Sequence, residues 1–507
     1  MNDTAGSPLQ RNDNDRQSTG VSGLDEILAG GFDANRVYLI EGRPGTGKTT
    51  IALQFLLEGV RQGERVLHIS LSESKVELGI VARRHSWDFS GIEVFELAST
   101  TASFDPDDEL TVFHPSAVEL SETTKIIKAK IEELSPSRII FDSLSEMRIL
   151  AQSPLRYRRQ ILALKHFFAD RNCTVLLLDD LSSAAGEIQL HSIAHGVILL
   201  EQNPAEFGAE RRRLRVIKMR GIQFKGGYHD FAIQRGGVEV YPRLVAAEHF
   251  KRFVGELTTS ENPELDTLMG GGLERGTNAL FIGPAGVGKS TLALTYAAAA
   301  ARRGEHAVIF AFDEGRGTID ARAKAVGLSI EELIENGSLC IHQVDPAEMA
   351  PGEFAYRVRC AVENDKAKVV VIDSLNGYFN AMLDERFLIL QMHELLSYLS
   401  QMGTMAILVL AQHGLVGPME TPVDISYLSD AVVMLRYFEA EGRVRRAISV
   451  LKKRSGAHED TIREYQLTSA GIRLGPPLTE FSGIFTGSPV YTGTRKPLMG
   501  GAKDDQI

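Results

Sequence analysis

Gly42-Arg43-Pro44-Gly45-Thr46-Gly47-Lys48-Thr49 returns later in the same chain as Gly283-Pro284-Ala285-Gly286-Val287-Gly288-Lys289-Ser290. Each stretch sets two glycines apart by four residues and follows them with Lys and a hydroxyl, the pattern of a phosphate-binding loop. In such a loop Gly42, Gly45, Thr46 and Gly47, or Gly283, Gly286, Val287 and Gly288, let backbone N–H groups close around phosphate oxygens. Lys48 or Lys289 reaches the outer phosphates, Thr49 or Ser290 can hold Mg²⁺, and Thr50 or Thr291 extends the cradle. Each motif follows an apolar run that reads as a strand, Val37-Tyr38-Leu39-Ile40 and Ala279-Leu280-Phe281-Ile282. Each opens a stretch with helical spacing (Ile51, Ala52, Phe55, Leu56; Leu292, Ala293, Tyr296, Ala297), so a helix N-terminus points at the anion. A lone Gly-rich loop is often only a turn; two in full strand–loop–helix context predict nucleoside triphosphate binding at two sites.

The repeat also sets the organisation. The loops lie 241 residues apart (283 against 42), and Leu24/Leu265, Asp25/Asp266 and Gly31/Gly272 keep that offset, so two copies of one domain lie head to tail. The reading is a disordered arm at 1–17, a first domain at 18–246, a linker at 247–258, a second domain at 259–485 and a tail at 486–507. A composition of 43% apolar and 24% charged residues is that of a globular chain, and no apolar run is long enough to span a bilayer. The polar stretch Met1 to Gln17 has no apolar segment of a secretory signal. Cys173, Cys340 and Cys360 have no metal-ligand spacing and are read as buried small apolar residues in a reducing cytoplasm. A net charge of −11 does not suit a chain whose main task is gripping a nucleic-acid backbone.

Downstream of each loop comes a strand ending in an acidic position, Val66 to Leu71 before Ser72-Glu73 and Ala307 to Phe312 before Asp313-Glu314. A further strand ends in Asp142-Ser143-Leu144-Ser145, and its counterpart in Asp373-Ser374-Leu375-Asn376. An apolar strand ending in aspartate after a phosphate loop is the pattern of a second Mg²⁺ contact. One copy alone could equally be a turn-forming Asp, but repetition in register favours the metal role for Asp142 and Asp373. Near-continuous apolar strands separated by helical stretches indicate a mainly parallel sheet covered by helices on both faces. Late in each half, shorter strands joined by polar turns predict antiparallel additions at one end of the sheet, followed by Lys218-Met219-Arg220 and Lys452-Lys453-Arg454. Arg211-Arg212-Arg213 reads as a solvated turn rather than a nucleic-acid contact.

Together with Ser22-Gly23-Leu24-Asp25 ahead of the first loop, Ser86-Trp87-Asp88 and Arg463-Glu464-Tyr465, these pieces make a chain that resembles the circadian clock ATPase and autokinase family KaiC, from about Ser18 to Pro489. The resemblance implies two tandem RecA-like ATPase domains, Mg²⁺·ATP between neighbouring subunits of a homohexamer, and autophosphorylation in the second domain. It implies that Lys218 and Arg220, and Lys452 and Arg454, serve the adjacent protomer's sites as arginine fingers do. The family's Glu-Glu pair, one of which prepares the attacking water or hydroxyl, falls on Ser72-Glu73 and Asp313-Glu314. Glu73, Asp313 and Glu314 are therefore the candidate bases. The family's neighbouring Ser and Thr acceptors fall on Ser426 and Tyr427, so an ordered cycle on a Ser-Thr pair does not carry over; Ser426, with Tyr427 or Thr421, stays open as phosphoacceptor. Thr492 to Ile507 is unlike a helical partner-binding extension, so the usual activator of the cyanobacterial clock is not expected, whereas a KaiB-like or other signalling partner is. Two other readings stand beside this one. A DNA-dependent recombinase or helicase of the same fold would show DNA-stimulated ATPase activity, and a nucleotide-gated hexameric scaffold would assemble on ATP with no phosphoprotein.

Overall fold

The structure, a computed structural model, describes residues 16–97, 115–151, 153–181, 187–204, 208–380, 385–412, 414, 426–485 and 489–493. It divides into two compact units with the boundary between Arg243 and Leu244. In the first, nine strands form one sheet: β1 Val37–Gly42, β2 Val66–Ser70, β3 Glu93–Glu96, β4 Arg138–Asp142, β5 Thr174–Asp180, β6 Gly196–Asn203, β7 Arg211–Met219, β8 Tyr228–Gln234 and β9 Gly237–Tyr241. They lie in the order β9-β8-β7-β6-β1-β5-β4-β2-β3. The six from β6 to β3 are parallel, and β7, β8 and β9 add antiparallel to β6. The second unit repeats this with β10 Asn278–Gly283, β11 Ala307–Ala311, β12 Leu339–Gln343, β13 Val369–Asp373, β14 Met405–Ala411, β15 Ala431–Ala440, β16 Arg443–Lys453, β17 Arg463–Thr468 and β18 Gly471–Pro477. Its order, β18-β17-β16-β15-β10-β14-β13-β11-β12, is the first sheet's order again. The expected tandem mainly parallel sheets with antiparallel strands at one end are both present.

The apolar runs explain why the sheets form. Every residue of β1, β2, β4 and β10 is buried, as suits parallel strands covered on both faces. Each fully buried Leu, Ile or Val side chain contributes about 1.5–3 kcal/mol. Helix α1 (Lys48–Arg61) follows the first loop and lays Ile51, Ala52, Phe55 and Leu56 on the sheet. Helix α2 (Lys289–Arg302) follows the second; its run from Tyr296 to Ala301 is buried throughout, which an alanine surface with no rotamer entropy to lose permits. The segment ahead of each loop is tied down alike: Ser18 Oγ donates to Asp25 at 2.7 Å, and Ser260 Oγ to Asp266 at 2.8 Å.

Four details differ from the sequence reading. Arg16 and Gln17, assigned to the arm, pair antiparallel with Phe32 and Asp33, and Leu257-Thr258, assigned to the linker, pair with Glu274 and Leu273. Arg211 to Arg213 are the start of β7 and not a turn: Arg213 lies over the Tyr228 ring and pairs with Glu201 at 3.2 Å across the strand boundary. Cys173 is buried as expected, but Cys340 and Cys360 are only half-buried.

Two buried histidines, His68 and His229, make the first unit sensitive to acid, burial pushing each down to about 4. His229 donates from Nε2 to the Lys225 carbonyl at 3.0 Å and accepts the Arg243 N–H at Nδ1, 2.8 Å away, so the neutral tautomer satisfies both nitrogens. Burial pushes its pKa down to about 4 from the usual 6.5, and protonating Nδ1 would set two donors face to face. Between those two values the unfolded chain binds the extra proton and the folded chain does not. The stability contribution is therefore fully present above pH 6.5 and is lost as pH falls toward 4, by roughly 3 kcal/mol. Urea midpoints across that range, in the parent and in His229→Gln, are expected to show a slope in the parent that the variant roughly halves, His68 supplying the remainder.

Candidate functional site

The phosphate loops leave β1 and β10 at their carboxyl ends, where ligands bind in open α/β sheets. Gly47 and Gly288 cap α1 and α2 from the left-handed region (φ 99° and 114°), a conformation glycine adopts without strain. No side chain caps either helix, so the first-turn N–H groups remain for an anion. Thr46 Oγ1 donates to the Arg43 carbonyl at 2.9 Å and closes the first loop. Gly45 and Gly286 stand exposed at the loop crests, while Val287 and Thr291 are buried beneath the second. Thr50 is half-buried at the start of α1.

The two lysines fold back over their loops in the same way. Lys48 Nζ donates to the carbonyls of Gly42 (2.9 Å) and Arg43 (3.1 Å), Lys289 Nζ to those of Gly283 (2.9 Å) and Pro284 (2.7 Å). Burial pushes the Lys289 ammonium down to about 8, against the pull of Asp373. Beside each lysine the hydroxyl meets the strand-end aspartate: Thr49 Oγ1 to Asp142 at 2.9 Å, Ser290 Oγ to Asp373 at 3.1 Å. A hydroxyl and a carboxylate brought together from residues 93 and 83 positions apart are hard oxygen donors suited to Mg²⁺. Desolvation raises both aspartates, Asp373 to about 6.

The acids after β2 and β11 diverge between the units. In the first, partial desolvation and then the charges of Asp142 and Glu77 push the Glu73 carboxyl up. In the second, Asp313 accepts from Ser374 Oγ, next to Asp373, while Glu314 is paired with Arg322.

The Lys-x-Arg pairs do not approach their own loops. Lys218 lies opposite Val197, which lies beside Leu39, so it sits toward the end where the parallel strands begin, and the loop leaves where they finish. Lys218 Nζ donates to the His191 carbonyl and Arg220 to that of Ser192 at 2.8 Å. In the second unit Lys452 donates to the Ser429 carbonyl at 2.8 Å, and Arg454 reaches the Tyr427 carbonyl and Asp430, both at 3.1 Å. The second pair thus holds the short 3-10 turn Ser426–Leu428 in which Tyr427 is exposed. Thr421 lies outside the described residues.

Sequence reasoning overlooked the partner of Lys48. Asp180, at the end of β5, stands 2.6 Å from Lys48 Nζ, and its other oxygen accepts from Ser145 at 3.2 Å. The acidic pair Asp179-Asp180 closing an apolar strand was the available signal; only the strand order, which seats β5 against β1, turns it into part of the site.

Comparison with known proteins gives the same frame. A family model described as the KaiC ATPase matches residues 17–245 and again 259–479. The chain is 26% identical over 502 residues to the circadian clock protein KaiC3 of Synechocystis sp., covering 97% of this chain and 98% of that protein. It is 27% identical over 476 residues to the circadian clock oscillator protein KaiC of Picosynechococcus sp., covering 92% and 91%. Against the circadian clock oscillator protein KaiC of Prochlorococcus marinus it is 27% identical over 477 residues, covering 93% and 95%.

Proposed function

This chain belongs to the KaiC family of ATPases, and from that premise we propose that both loops bind Mg²⁺·ATP, that the sites lie between subunits of a homohexamer, and that the second domain phosphorylates Ser426. The observation that carries the reading is the hydroxyl–carboxylate pair beside a buried loop lysine, made once per unit with nearly equal distances. Thr49 with Asp142, and Ser290 with Asp373, would hold Mg²⁺, directly or through water. The ion would supply neutralisation of charge on the outer phosphates. Lys48 and Lys289 share that task. In the first domain Glu73 prepares the attacking water, because Ser72 has no basic group at neutral pH. In the second, Glu314 is committed to Arg322, which favours Asp313 as the base for the incoming hydroxyl.

Lys218 and Arg220, and Lys452 and Arg454, act on the neighbouring protomer's nucleotide, since register directs them away from their own. The cytoplasm, a clock or signalling role, and a KaiB-like or other signalling partner complete the reading, drawn from the family and its relatives' names.

The test is incubation of the purified protein with γ-labelled ATP and Mg²⁺, following free phosphate and protein-bound label together in the parent and in Ser426→Ala. Label that disappears in the variant establishes an autokinase and its acceptor. Free phosphate without bound label removes the kinase and leaves an ATPase ring.

A further inference from the structure

The two phosphate loops are alike in backbone and unlike in charge. In the first unit Gly42 is paired with Asp180 and Glu41 with Asp179; at the same register in the second, Gly283 is paired with Ala411 and Ile282 with Leu410. The neighbouring position changes in step. Ser145 bonds the Asp180 carboxylate, whereas its counterpart Asn376 spans the backbone of Ala411, donating to its carbonyl at 3.0 Å and accepting its N–H at 2.7 Å. A carboxylate with its own hydroxyl support has been built beside one loop lysine and replaced by plain backbone beside the other.

Of the other acids around Asp180, Asp142 is bonded to the Thr49 hydroxyl at 2.9 Å and also feels Lys48, while two more have partners of their own. Asp179, nearly inaccessible, is paired with Arg148, and Glu41 meets His191 Nε2 at 2.7 Å. Asp180 therefore faces Lys48, the same Nζ that the outer phosphates need. Lys48 is 8% exposed and Asp180 37%, so an enclosed ammonium meets a carboxylate that solvent reaches. Like charges brought onto one buried cation repel, and the low local dielectric strengthens the effect.

We propose that Asp180 sets the nucleotide affinity of the first-domain site by sharing Lys48 with the outer phosphates, so that this site holds di- and triphosphates more weakly than an uncharged residue there would allow. The proposal rests on the reading of that loop as an ATP site. Asp180 acts through Lys48, as a competitor for its charge, and its effect is confined to ligands that carry phosphates within the lysine's reach.

The experiment uses the full chain in a Lys289→Ala background, where the second site is the same in every protein compared, so that differences in titration with a fluorescent ATP analogue, and in competition by ATP, ADP and AMP, report the first site. Asp180→Asn keeps the shape and removes the charge; Asp180→Ala copies the second unit. Both are expected to tighten ATP and ADP about tenfold and to leave AMP unchanged. A merely structural brace gives the opposite sign, weaker binding as Lys48 loses its anchor. Unchanged or weaker ATP binding in the folded Asp180→Asn protein, or equal tightening of AMP, overturns the proposal. Absence of any first-site binding in the parent overturns the ATP-site reading itself, and the proposal with it.

Discussion

Lys289→Ala is expected to lower phosphoryl transfer in the second domain by about 10²–10³-fold, the loss that follows when one preorganised charge on the departing phosphoryl group is removed. The side chain is buried against Gly283 and Pro284, whose carbonyls hold Nζ over the loop at 2.9 and 2.7 Å. Its depressed pKa, about 8, shows that the surroundings disfavour the charge, so an incoming polyanion gains from an ammonium that water no longer screens. Alanine removes the two bonds to the Gly283 and Pro284 carbonyls but keeps the left-handed Gly288 and the α2 N-terminus that face the anion. The measurement is protein-bound label in single turnover, with Lys48→Ala as the companion. That variant should lower free phosphate and spare the label, because the two units carry separate loops.

Arg454→Ala is expected to cost about 10³-fold or more in the same label, the range seen when a finger in trans is lost. Two observations support so large an effect. The side chain is 55% exposed, and it stands toward the end of the sheet opposite its own loop. It also ties the Ser426–Leu428 turn through the Tyr427 carbonyl and Asp430, so the cation and the acceptor segment move as one unit. Arg454→Lys keeps the charge but not the fork that binds two acceptors together, and recovers only part of the activity. If Arg454 served its own turn alone, thermal stability would fall while the rate per folded subunit stayed unchanged.

Most of the fold was legible because a phosphate loop constrains its surroundings. A buried strand must deliver it, a helix N-terminus must receive the anion, and a second buried strand must bring Asp142 or Asp373 to the hydroxyl. A repeat at constant offset then fixed both domains at once. The misread parts depend on pairing across long sequence separations. Arg211 to Arg213 look like a solvated turn until β6 and β8 supply Glu201 and Tyr228 on either side. Asp180 is an ordinary strand end until β5 is seated beside β1. Cys340 lies on β12, the edge strand, so a small apolar residue there is covered from one side only.

Subunit mixing tests the central claim most directly: that each second-domain site is completed by another copy of the chain. Lys289→Ala and Arg454→Ala proteins, each inactive alone, are disassembled, combined in equal amounts and reassembled with ATP. A ring with sites between subunits predicts recovery of about a quarter of the parent's label, from interfaces that join an intact loop to an intact arginine. Label that stays at the level of the two variants measured separately would contradict it.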